Sequence, residues 1–256
     1  MKLQKLFFIP DVHVPYHDKG AWSLCLRAIK EFNPDVVVVL GDFADFYAVS
    51  SHDKDPRRSN DLQWELEEVR KAIDELEIAA SNARRLVYVC GNHEERLERY
   101  LKTKAPELFG LHKIPELLTL DDFWEFIPYK DHIQIGKLYL THDTGSAGAT
   151  AHEKARSDFD GNTIIGHTHR IAFSVRGSLR GAAHVGAMFG WLGDPARTDY
   201  MHRVKASKDW AHGFGVGYME PSGVVHLVPI VIVNGSCVIE GKLISVEKRK
   251  KSLRKK

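Results

Sequence analysis

Residues 86–94 have the sequence LVYVCGNHE, an apolar, β-branched and aromatic run that stops at a glycine and continues into an amide, an imidazole and a carboxylate. An apolar run of this length that ends at glycine is typical of a buried strand in a parallel sheet. Such sheets bind their ligands beyond the carboxyl ends of the strands. We therefore expect Asn92, His93 and Glu94 to lie at a functional edge.

Four further apolar runs have the same design. Each continues into residues of the kinds that bind metal ions, and these endings are Asp11-Val12-His13, Gly41-Asp42, His142 and Gly166-His167-Thr168-His169. Between the first two runs, residues 22–32 repeat apolar side chains at helical spacing, which predicts a β-α-β unit. The five strands should deliver these side chains to one place.

The totals set limits on the organisation of the chain. A length of 256 residues with 43% apolar content is enough for a substantial core. No Gly/Ser-rich or Pro-rich linker interrupts it, so we expect a single domain over residues 1–247 and a basic, disordered tail over 248–256. Removing the seven basic residues of this tail from the net charge of +2 leaves about −5 for the rest.

The tail suggests a partner. Clustered basic residues can contact nucleic acid or another polyanion by neutralising phosphates. The alternative is a solvated end that only aids solubility. Apart from this tail, the sequence gives no indication of a macromolecular partner or of an oligomeric state.

The cysteines indicate the cellular compartment. Cys25, Cys90 and Cys237 lie far apart with no paired spacing, which predicts reduced, buried thiols in a cytoplasmic protein. The longest apolar runs are too short to cross a bilayer. Because Asp11 follows the first strand at once, that strand is not the core of a signal peptide. We therefore expect a cytoplasmic protein with no membrane partner.

Other segments complete the expected layout. A helix over about residues 61–80 has one apolar stripe, with Glu65, Glu68 and Glu75 predicted to face water. Residues 104–128 are rich in Leu, Phe and Trp and predict a helical, cap-like segment beside the site. Residues 133–140 alternate around a glycine, as hairpins do. The last third has several strand-like runs, so we expect two packed sheets with helices outside.

The chemistry of the strand ends favours metal ions. Taken one at a time, an Asp after a strand is commonly a cap or a turn former, but five such endings in series are an improbable coincidence. Carboxylate and amide oxygens with neutral imidazoles, and no thiolate, suit Mn²⁺, Fe²⁺ or Zn²⁺. The candidates are more numerous than one ion needs. Two ions that share a carboxylate, about 3.5 to 4 Å apart, are the economical arrangement.

From Asp11 to His169 this set of motifs resembles the calcineurin-like metallophosphoesterase superfamily. The resemblance implies a four-layer α/β/β/α sandwich and two divalent ions, with Mn²⁺ as the first choice and Fe²⁺, Zn²⁺, Ni²⁺ or Mg²⁺ as alternatives. It implies one ion held by Asp11, His13 and His169, a second ion held by Asn92, His142 and His167, and Asp42 as the bridging ligand.

The resemblance also implies catalytic roles for two further residues. His93 would face the phosphoryl group as general acid or transition-state stabiliser. Asp45 would pair with His93, fix its tautomer and favour its protonated form. A hydroxide that bridges the two ions would attack phosphorus in line, because two cations strongly lower the pKa of a water molecule.

One departure from the superfamily bears on the substrate. Protein Ser/Thr phosphatases of this superfamily carry Arg-Gly after Gly-Asp-x-x-Asp, whereas Phe46 and Tyr47 follow Asp45 here. These aromatic rings would stack on a base or simply pack beside the sheet. Another arginine would then bind the phosphate, and the candidates are Arg57, Arg58, Arg96 and Arg170. The alternative for each of them is a solvated surface charge with no role in binding.

We therefore interpret the protein as a phosphodiesterase or nuclease acting on nucleic acid or nucleotides. A phosphomonoesterase, including a Ser/Thr-type protein phosphatase, is the alternative. A non-catalytic scaffold on the same fold is a third hypothesis, which the complete ligand blocks disfavour.

Some features fall outside the motifs. His17 is close enough in sequence to His13 to line the site. Residues 186–193 have the glycines and aromatics of a substrate-facing loop or of a packed turn. We assign no ligand role to the remaining histidines of the second half, which are His184, His202, His212 and His226.

Overall fold

The computed structural model describes residues 2–55, 58, 61–177, 183–197 and 209–246. Arg57, His202 and the basic tail at 248–256 lie outside the described residues. The α-helices are α1 (Lys19–Phe32), α2 (Leu62–Ala79), α3 (Glu95–Lys104), α4 (Ile114–Leu117) and α5 (Ala151–Phe159). The strands are β1 (Gln4–Ile9), β2 (Val36–Val39), β3 (Arg85–Val89), β4 (Trp124–Ile127), β5 (Ile133–Ile135), β6 (Leu138–Thr141), β7 (Asn162–Ile165), β8 (Ile171–Gly177), β9 (Ala183–Phe189), β10 (Gly213–Met219), β11 (Val225–Val231), β12 (Ser236–Ile239) and β13 (Lys242–Ser245).

The first sheet has six strands in the order β11-β10-β1-β2-β3-β4. Its four strands β1 to β4 are parallel, and β10 and β11 are added in antiparallel pairing at the β1 edge. Helix α1 connects β1 to β2, as the β-α-β pattern predicts. The strands that precede Asp11, Asp42 and Asn92 are therefore neighbours, and their carboxyl ends lie at the same edge.

The second sheet has five strands in the order β5-β6-β7-β9-β8. Strands β6, β7 and β9 are parallel, and the predicted hairpin is confirmed as β5 and β6 with Gly136 in the turn. The expectation of a loop or turn over residues 186–193 is wrong for its first half, because residues 186–189 belong to β9. The side chains of Ala187 and Phe189 are fully buried in the core between the sheets.

Two cores define the layers, and the alternation of β1 shows why. Phe7 and Ile9 pack in one core with residues of α1 and α2, whereas Leu6 and Phe8 pack in another core with residues of the second sheet. Successive strand residues point to opposite faces, so an all-apolar strand is buried on both sides. Helix α5 covers the outer face of the second sheet. The predicted four-layer α/β/β/α architecture is confirmed.

Helix α2 departs from its predicted pattern at one residue. Its apolar stripe is buried as expected, but Glu65, predicted to face water, is only 2% exposed. Its carboxylate accepts hydrogen bonds from the backbone N–H groups of Tyr47 (2.8 Å) and Ala48 (2.9 Å). The prediction for Glu65 is therefore wrong: its side chain ties α2 to the segment that follows β2.

The segment over residues 104–128 contains a 3₁₀ turn at Pro106–Leu108, the short helix α4 and then β4. Helical pieces are present, but the sequence patterns did not indicate β4. This strand pairs in parallel with β3 and ends the first sheet. The indole N–H of Trp124 donates to Glu77 at 2.7 Å, which fastens the edge strand to α2.

The expectations for cysteines are confirmed, since Cys25, Cys90 and Cys237 are buried and form no disulfide. Across the described ranges, no helix combines the length and the apolar character needed to span a bilayer.

Candidate metal centre

The candidate site lies where the carboxyl ends of five strands meet, three from the first sheet and two from the second. Asp11, Asp42 and Asn92 follow β1, β2 and β3, whereas His142 follows β6 and His167 follows β7. The two sheets thus contribute opposite walls. This is the convergence that the five strand endings predict.

The first group of close ligand atoms comprises Asp11, His13, Asp42 and His169. One ligand atom from each lies within 4.8 Å of all the others, and the four residues are buried. Nε2 of His169 lies 3.0 Å from Nε2 of His13 and 3.5 Å from Oδ1 of Asp11. Two imidazole nitrogens and two carboxylates therefore face one small volume.

The second group comprises Asp42, His142 and His167, again within 4.8 Å of one another. Oδ1 of Asn92 lies 3.0 Å from Nε2 of His142 and 2.7 Å from Nδ1 of His167. Asp42 belongs to both groups. The structure thus brings all seven predicted ligands together, and their oxygen and imidazole donors without thiolate fit a pair of hard or borderline divalent ions that share a carboxylate.

The backbone of these ligands is strained. Five of the seven residues have a positive φ, a region that side chains other than glycine rarely adopt, and these residues are Asp11, His13, Asp42, His167 and His169. Each such residue costs about 1–3 kcal/mol, and such strain clusters at functional sites. Hydrogen bonds hold the strained loops, for example from the N–H of His167 to both oxygens of Asp11 (2.9 and 3.1 Å).

Two glycines allow the loops to approach closely. A Cβ atom at Gly91 would lie 2.2 Å from Oδ1 of Asp42, and one at Gly41 would lie 2.3 Å from Nδ1 of His142. No side chain fits at such distances. The glycines that precede Asp42 and Asn92 in the sequence are therefore required by the packing of the site and not only by the ends of the strands.

Burial and mutual charge shift the protonation of the group. Burial raises the pKa of Asp11 to about 6. Burial also acts to raise the pKa of Asp42, but the surrounding histidines, with His142 foremost, together outweigh it and hold that pKa well below its usual range. Burial lowers the pKa of His169 to about 3 and also lowers that of His167. These three residues thus favour the ionised carboxylate and neutral imidazole forms that bind metal ions. His142 would have to lose a proton on binding, because its burial is outweighed by the neighbouring carboxylates, which raise its pKa to about 10. Asp11 would have to lose one as well wherever the pH lies below its raised pKa.

His93 lies beside the two groups with both ring nitrogens engaged. Its Nδ1 is 3.1 Å from the carbonyl oxygen of Asp45, and its Nε2 is 2.9 Å from Nη2 of Arg96. Because a guanidinium only donates, Nε2 accepts and Nδ1 carries the proton. Asp45 therefore holds the tautomer through its backbone carbonyl. Burial lowers the pKa of His93 overall, and it outweighs the charge of Asp45, which acts to raise that pKa as predicted.

The carboxylate of Asp45 contacts two imidazoles. Its Oδ2 lies 3.3 Å from Nδ1 of His13 and 3.6 Å from Nδ1 of His93. These three residues form a further group of close ligand atoms. Asp45 faces Nδ1 of each ring. The opposite nitrogen, Nε2, faces His169 in the case of His13 and Asp42 in the case of His93. Asp45 therefore orients both rings toward the two groups of ligand atoms.

Glu94 is a site residue to which the sequence patterns assigned no role. It is fully buried and accepts hydrogen bonds from the N–H groups of Asp42 (3.1 Å), Ala44 (3.0 Å) and Gly91 (2.9 Å). The hydroxyl of Tyr88 donates to it at 2.7 Å. Glu94 thus joins the loops after β2 and β3. The only signal in the sequence was its place in the Gly-Asn-His-Glu block.

Two tryptophans form an aromatic wall that no motif indicated. The ring of Trp191 stacks on His169 at 4.8 Å with an interplanar angle of 12°. The partly buried Trp210 meets His169 edge to face at 4.3 Å. Stacking of this kind fixes the orientation of the His169 ring, because Nδ1 of that ring has no hydrogen-bond partner among the described residues.

The aromatic residues after Asp45 pack inside the protein. Phe46 and Tyr47 are 2% and 3% exposed, so the hypothesis that they stack on a base is wrong and the packing alternative holds. The guanidinium of Arg58 lies over the rings of Tyr16 and Tyr47, at 3.6 and 3.7 Å. Tyr47 is therefore covered on one face by an arginine.

Other candidates lie away from the two groups. Arg170 donates through Nη1 to the carbonyl oxygens of Ala147 and Thr168, both at 3.2 Å. His17 is buried, and its ring centre lies 6.3 Å from that of Trp22. It faces a cavity of about 260 Å³ lined by residues of α1 and α2, so it does not line the site.

The chain is similar to one protein family and to several solved structures. The family model for calcineurin-like phosphoesterases matches residues 5–194. A point variant of Vps29 from Entamoeba histolytica is 14% identical, with a TM-score of 0.49 over 94% of this chain and 99% of that one. YfcE, a phosphoesterase from E. coli, is 14% identical, with a TM-score of 0.41 over 95% of this chain and 100% of that one. A phosphatase from Mycoplasma pneumoniae is 12% identical, with a TM-score of 0.44 over 90% of this chain and 94% of that one.

No curated protein sequence gives a significant match to the chain. The family model, in contrast, covers well over half of the 256 residues and includes every strand ending from Asp11 to His169. The protein therefore belongs to the calcineurin-like phosphoesterase family.

Proposed function

We propose that this protein is a phosphoester hydrolase that works with two divalent cations. Asp11, His13 and His169 would hold one cation, Asn92, His142 and His167 would hold the other, and Asp42 would be a ligand that both share. The observation that carries the proposal is the sharing of Asp42 between two groups of ligand atoms, each within 4.8 Å. Shared carboxylates are typical of two-metal sites that cleave phosphoesters.

Bound cations supply an acidified water molecule and neutralise the phosphoryl oxygens. The chain's own residues position the reaction. Asp45 and Glu94 hold the rings and loops in place. His93 presents Nε2 next to Asp42, where it can take up a proton and then stabilise the leaving oxygen. Hydrolysis breaks the ester P–O bond and forms a P–O bond to the water oxygen, and the proton that the attacking water gives up balances the one that the leaving oxygen gains.

We take Mn²⁺ as the first choice of working ion, because three oxygen donors and four imidazoles without a thiolate suit hard or borderline divalent ions. Fe²⁺, Zn²⁺, Ni²⁺ and Mg²⁺ remain alternatives. A metal-free scaffold is disfavoured, because a cluster of buried ionisable groups on a strained backbone is costly to keep without a role.

The substrate class needs revision. The preference for a phosphodiesterase or nuclease rested on the residues after Asp45 and on the basic tail. The tail is outside the described residues, and two arginines approach Asp45 from elsewhere in the chain, Arg58 and Arg96. A phosphomonoesterase is therefore the better proposal, and a diesterase acting on nucleic acid is the alternative. A cytoplasmic location and polyanion binding by the tail stay predictions.

One assay tests the proposed function. Protein loaded with Mn²⁺ is offered nitrophenyl phosphate, bis(nitrophenyl) phosphate, and single- and double-stranded DNA. We expect hydrolysis of at least one substrate, with loss of turnover after chelation and recovery after metal is returned. Hydrolysis that persists in chelator, or no hydrolysis of any of the four, would contradict the proposal.

A further inference from the structure

Arg96 reaches the site from the first turn of α3. This helix begins at Glu95, directly after the loop that carries Asn92 and His93. Arg96 is only 9% exposed, and its Nη1 donates to the carbonyl oxygen of Asp45 at 3.0 Å. Its Nη2 lies 2.9 Å from Nε2 of His93. That nitrogen is itself 3.8 Å from Oδ2 of Asp42, so the guanidinium borders the space next to the shared carboxylate.

Arg58, from the segment after β2, also approaches the carboxylate of Asp45. Its Nη2 lies 3.9 Å from Oδ1 of Asp45, and Nη1 of Arg96 lies 3.3 Å from that oxygen. The rings of Tyr16 and Tyr47 support its guanidinium at 3.6 and 3.7 Å. Such stacking suits arginine because its guanidinium is planar and weakly hydrated. Two guanidinium groups therefore converge on Oδ1 of Asp45.

Tyr47 in turn is held by Glu65, whose carboxylate accepts from the N–H of Tyr47 at 2.8 Å. Lys54 lies over the Tyr47 ring at 4.6 Å. This side of the site thus carries three cations against the carboxylates of Asp45 and Glu65. Cations gathered on one side of the site favour an anionic group of the substrate there.

Phosphomonoesters and phosphodiesters differ in the number of charged oxygens that they offer to these cations. A phosphomonoester dianion has three non-bridging oxygens, whereas a diester has two, and its third position carries a neutral ester oxygen with an organic substituent. If each of two bound cations neutralised one of these oxygens, the third oxygen of a monoester would still carry charge. A guanidinium is well suited to that oxygen. Beside the neutral ester oxygen of a diester, Arg96 would gain no such ion pair and would keep its contact with Asp45.

We infer that the site is built for phosphomonoesters, and that Arg96, with Arg58, binds the phosphoryl oxygen that the two cations do not. The inference rests on the proposed function and narrows its substrate class. It also accounts for Phe46, which stands where the Ser/Thr phosphatases have an arginine. Here the arginines come instead from the segment after β2 and from α3. When Arg96 turns to the phosphoryl group, it releases Nε2 of His93, which is then free to take up a proton and pass it to the leaving oxygen.

The test compares two esters with the same leaving group, nitrophenyl phosphate and bis(nitrophenyl) phosphate, on metal-loaded protein. We expect the wild type to prefer the monoester. Arg96→Gln should lower kcat/KM for the monoester by about 10²-fold, the usual effect of removing one group that stabilises transition-state charge, and should lower kcat/KM for the diester by a clearly smaller factor. Arg96→Lys should recover part of the loss. Arg99→Gln, an exposed arginine on the same helix, is the matched control and should resemble the wild type.

A second readout does not depend on turnover. Inorganic phosphate and dimethyl phosphate are titrated calorimetrically into metal-loaded protein, and metal content and thermal unfolding are checked for each variant. The wild type should bind phosphate more tightly than dimethyl phosphate, and Arg96→Gln should remove most of that difference. If Arg96→Gln does not fold, Arg58→Gln takes its place, with the same direction of effect on both readouts.

The outcomes separate the two proposals. A preference of the wild type for the diester, equal losses on both esters in Arg96→Gln, or unchanged phosphate affinity in that variant would overturn the inference and leave the hydrolase proposal standing. Selective phosphate binding that depends on Arg96, without metal-dependent hydrolysis of either ester, would support the inference on the binding site and overturn the proposed hydrolysis.

Discussion

Nε2 of His13 lies 3.0 Å from Nε2 of His169, although 156 positions separate the two residues in the chain. Two imidazole nitrogens in contact share one proton or face one cation. We expect them to face a cation, so His169→Ala should lose one of the two equivalents of bound divalent ion. Metal analysis after dialysis against Mn²⁺ measures this. An unchanged metal content would show that His169 is not a ligand.

Asp42 should matter more than any other ligand, because both groups of ligand atoms include it. Asp42→Ala should lose both equivalents of metal and all metal-dependent turnover. Asp74→Ala, which removes an exposed carboxylate on α2, is the matched control and should retain both. Full activity in Asp42→Ala would rule out the bridging role.

His93 should affect rate and not metal content, because its ring nitrogens contact Asp45 and Arg96. His93→Ala should keep its metal while the maximal rate falls by about 10²-fold or more, the usual contribution of a proton-transferring side chain. Steady-state kinetics and metal analysis on the same sample decide it. His226→Ala, which alters an exposed histidine of β11, serves as the control. Loss of metal in His93→Ala would identify His93 as a ligand instead.

Glu94 should determine both stability and metal affinity. Glu94→Ala leaves three backbone N–H groups and the Tyr88 hydroxyl without their acceptor. Since an unsatisfied buried donor costs about 1–3 kcal/mol, the free energy of unfolding should fall by at least about 3 kcal/mol. Tyr88→Phe removes only one of these bonds and should cost about 1 kcal/mol. Urea denaturation in the presence of chelator measures the free energy of unfolding of both variants. A smaller loss for Glu94→Ala than for Tyr88→Phe would contradict the positioning role.

His17 should make the protein sensitive to acid. Burial lowers its pKa from 6.5 to about 4, with Lys19 and Arg197 acting in the same direction, and its Nδ1 has no partner among the described residues. As the pH falls below 6.5, the unfolded chain gains the proton first. This contribution to stability is therefore complete above pH 6.5 and is lost as the pH falls toward 4.

Relative to His17→Gln, the wild type should lose about 2 kcal/mol of unfolding free energy between pH 7.5 and pH 5. Urea denaturation at both pH values, with chelator present, measures the difference. His226→Gln, at an exposed site, should follow the wild type. Equal acid sensitivity in the wild type and His17→Gln would show that His17 is not the cause.

The ligand blocks could be predicted because the signals that mark them are local. In a strand such as residues 86–89, apolar side chains on both faces indicate burial, and the glycine and ligand that follow indicate the functional edge. The same local signals predicted the parallel order of β1, β2 and β3 and the hairpin of β5 and β6. Strands β4 and β9 were missed because their sequences lack the regular alternation of apolar and polar residues that indicates a strand.

Glu65 illustrates why other features could not be predicted. Its helical position places it between apolar neighbours and charged ones, and its partners are N–H groups of a separate segment, 17 and 18 residues away. No periodicity encodes such a contact. The same holds for Arg96 and Asp45, which are 51 residues apart.

The seven candidate ligand residues, the layered architecture and the family could thus be predicted from motifs within single strands and loops. The orientation of His93, the burial of Glu94 and the convergence of Arg58 and Arg96 on Asp45 arise only when distant segments pack together. Hydrogen bonds and guanidinium contacts depend on distances of a few ångströms between chain segments, and residue spacing along one segment does not specify them.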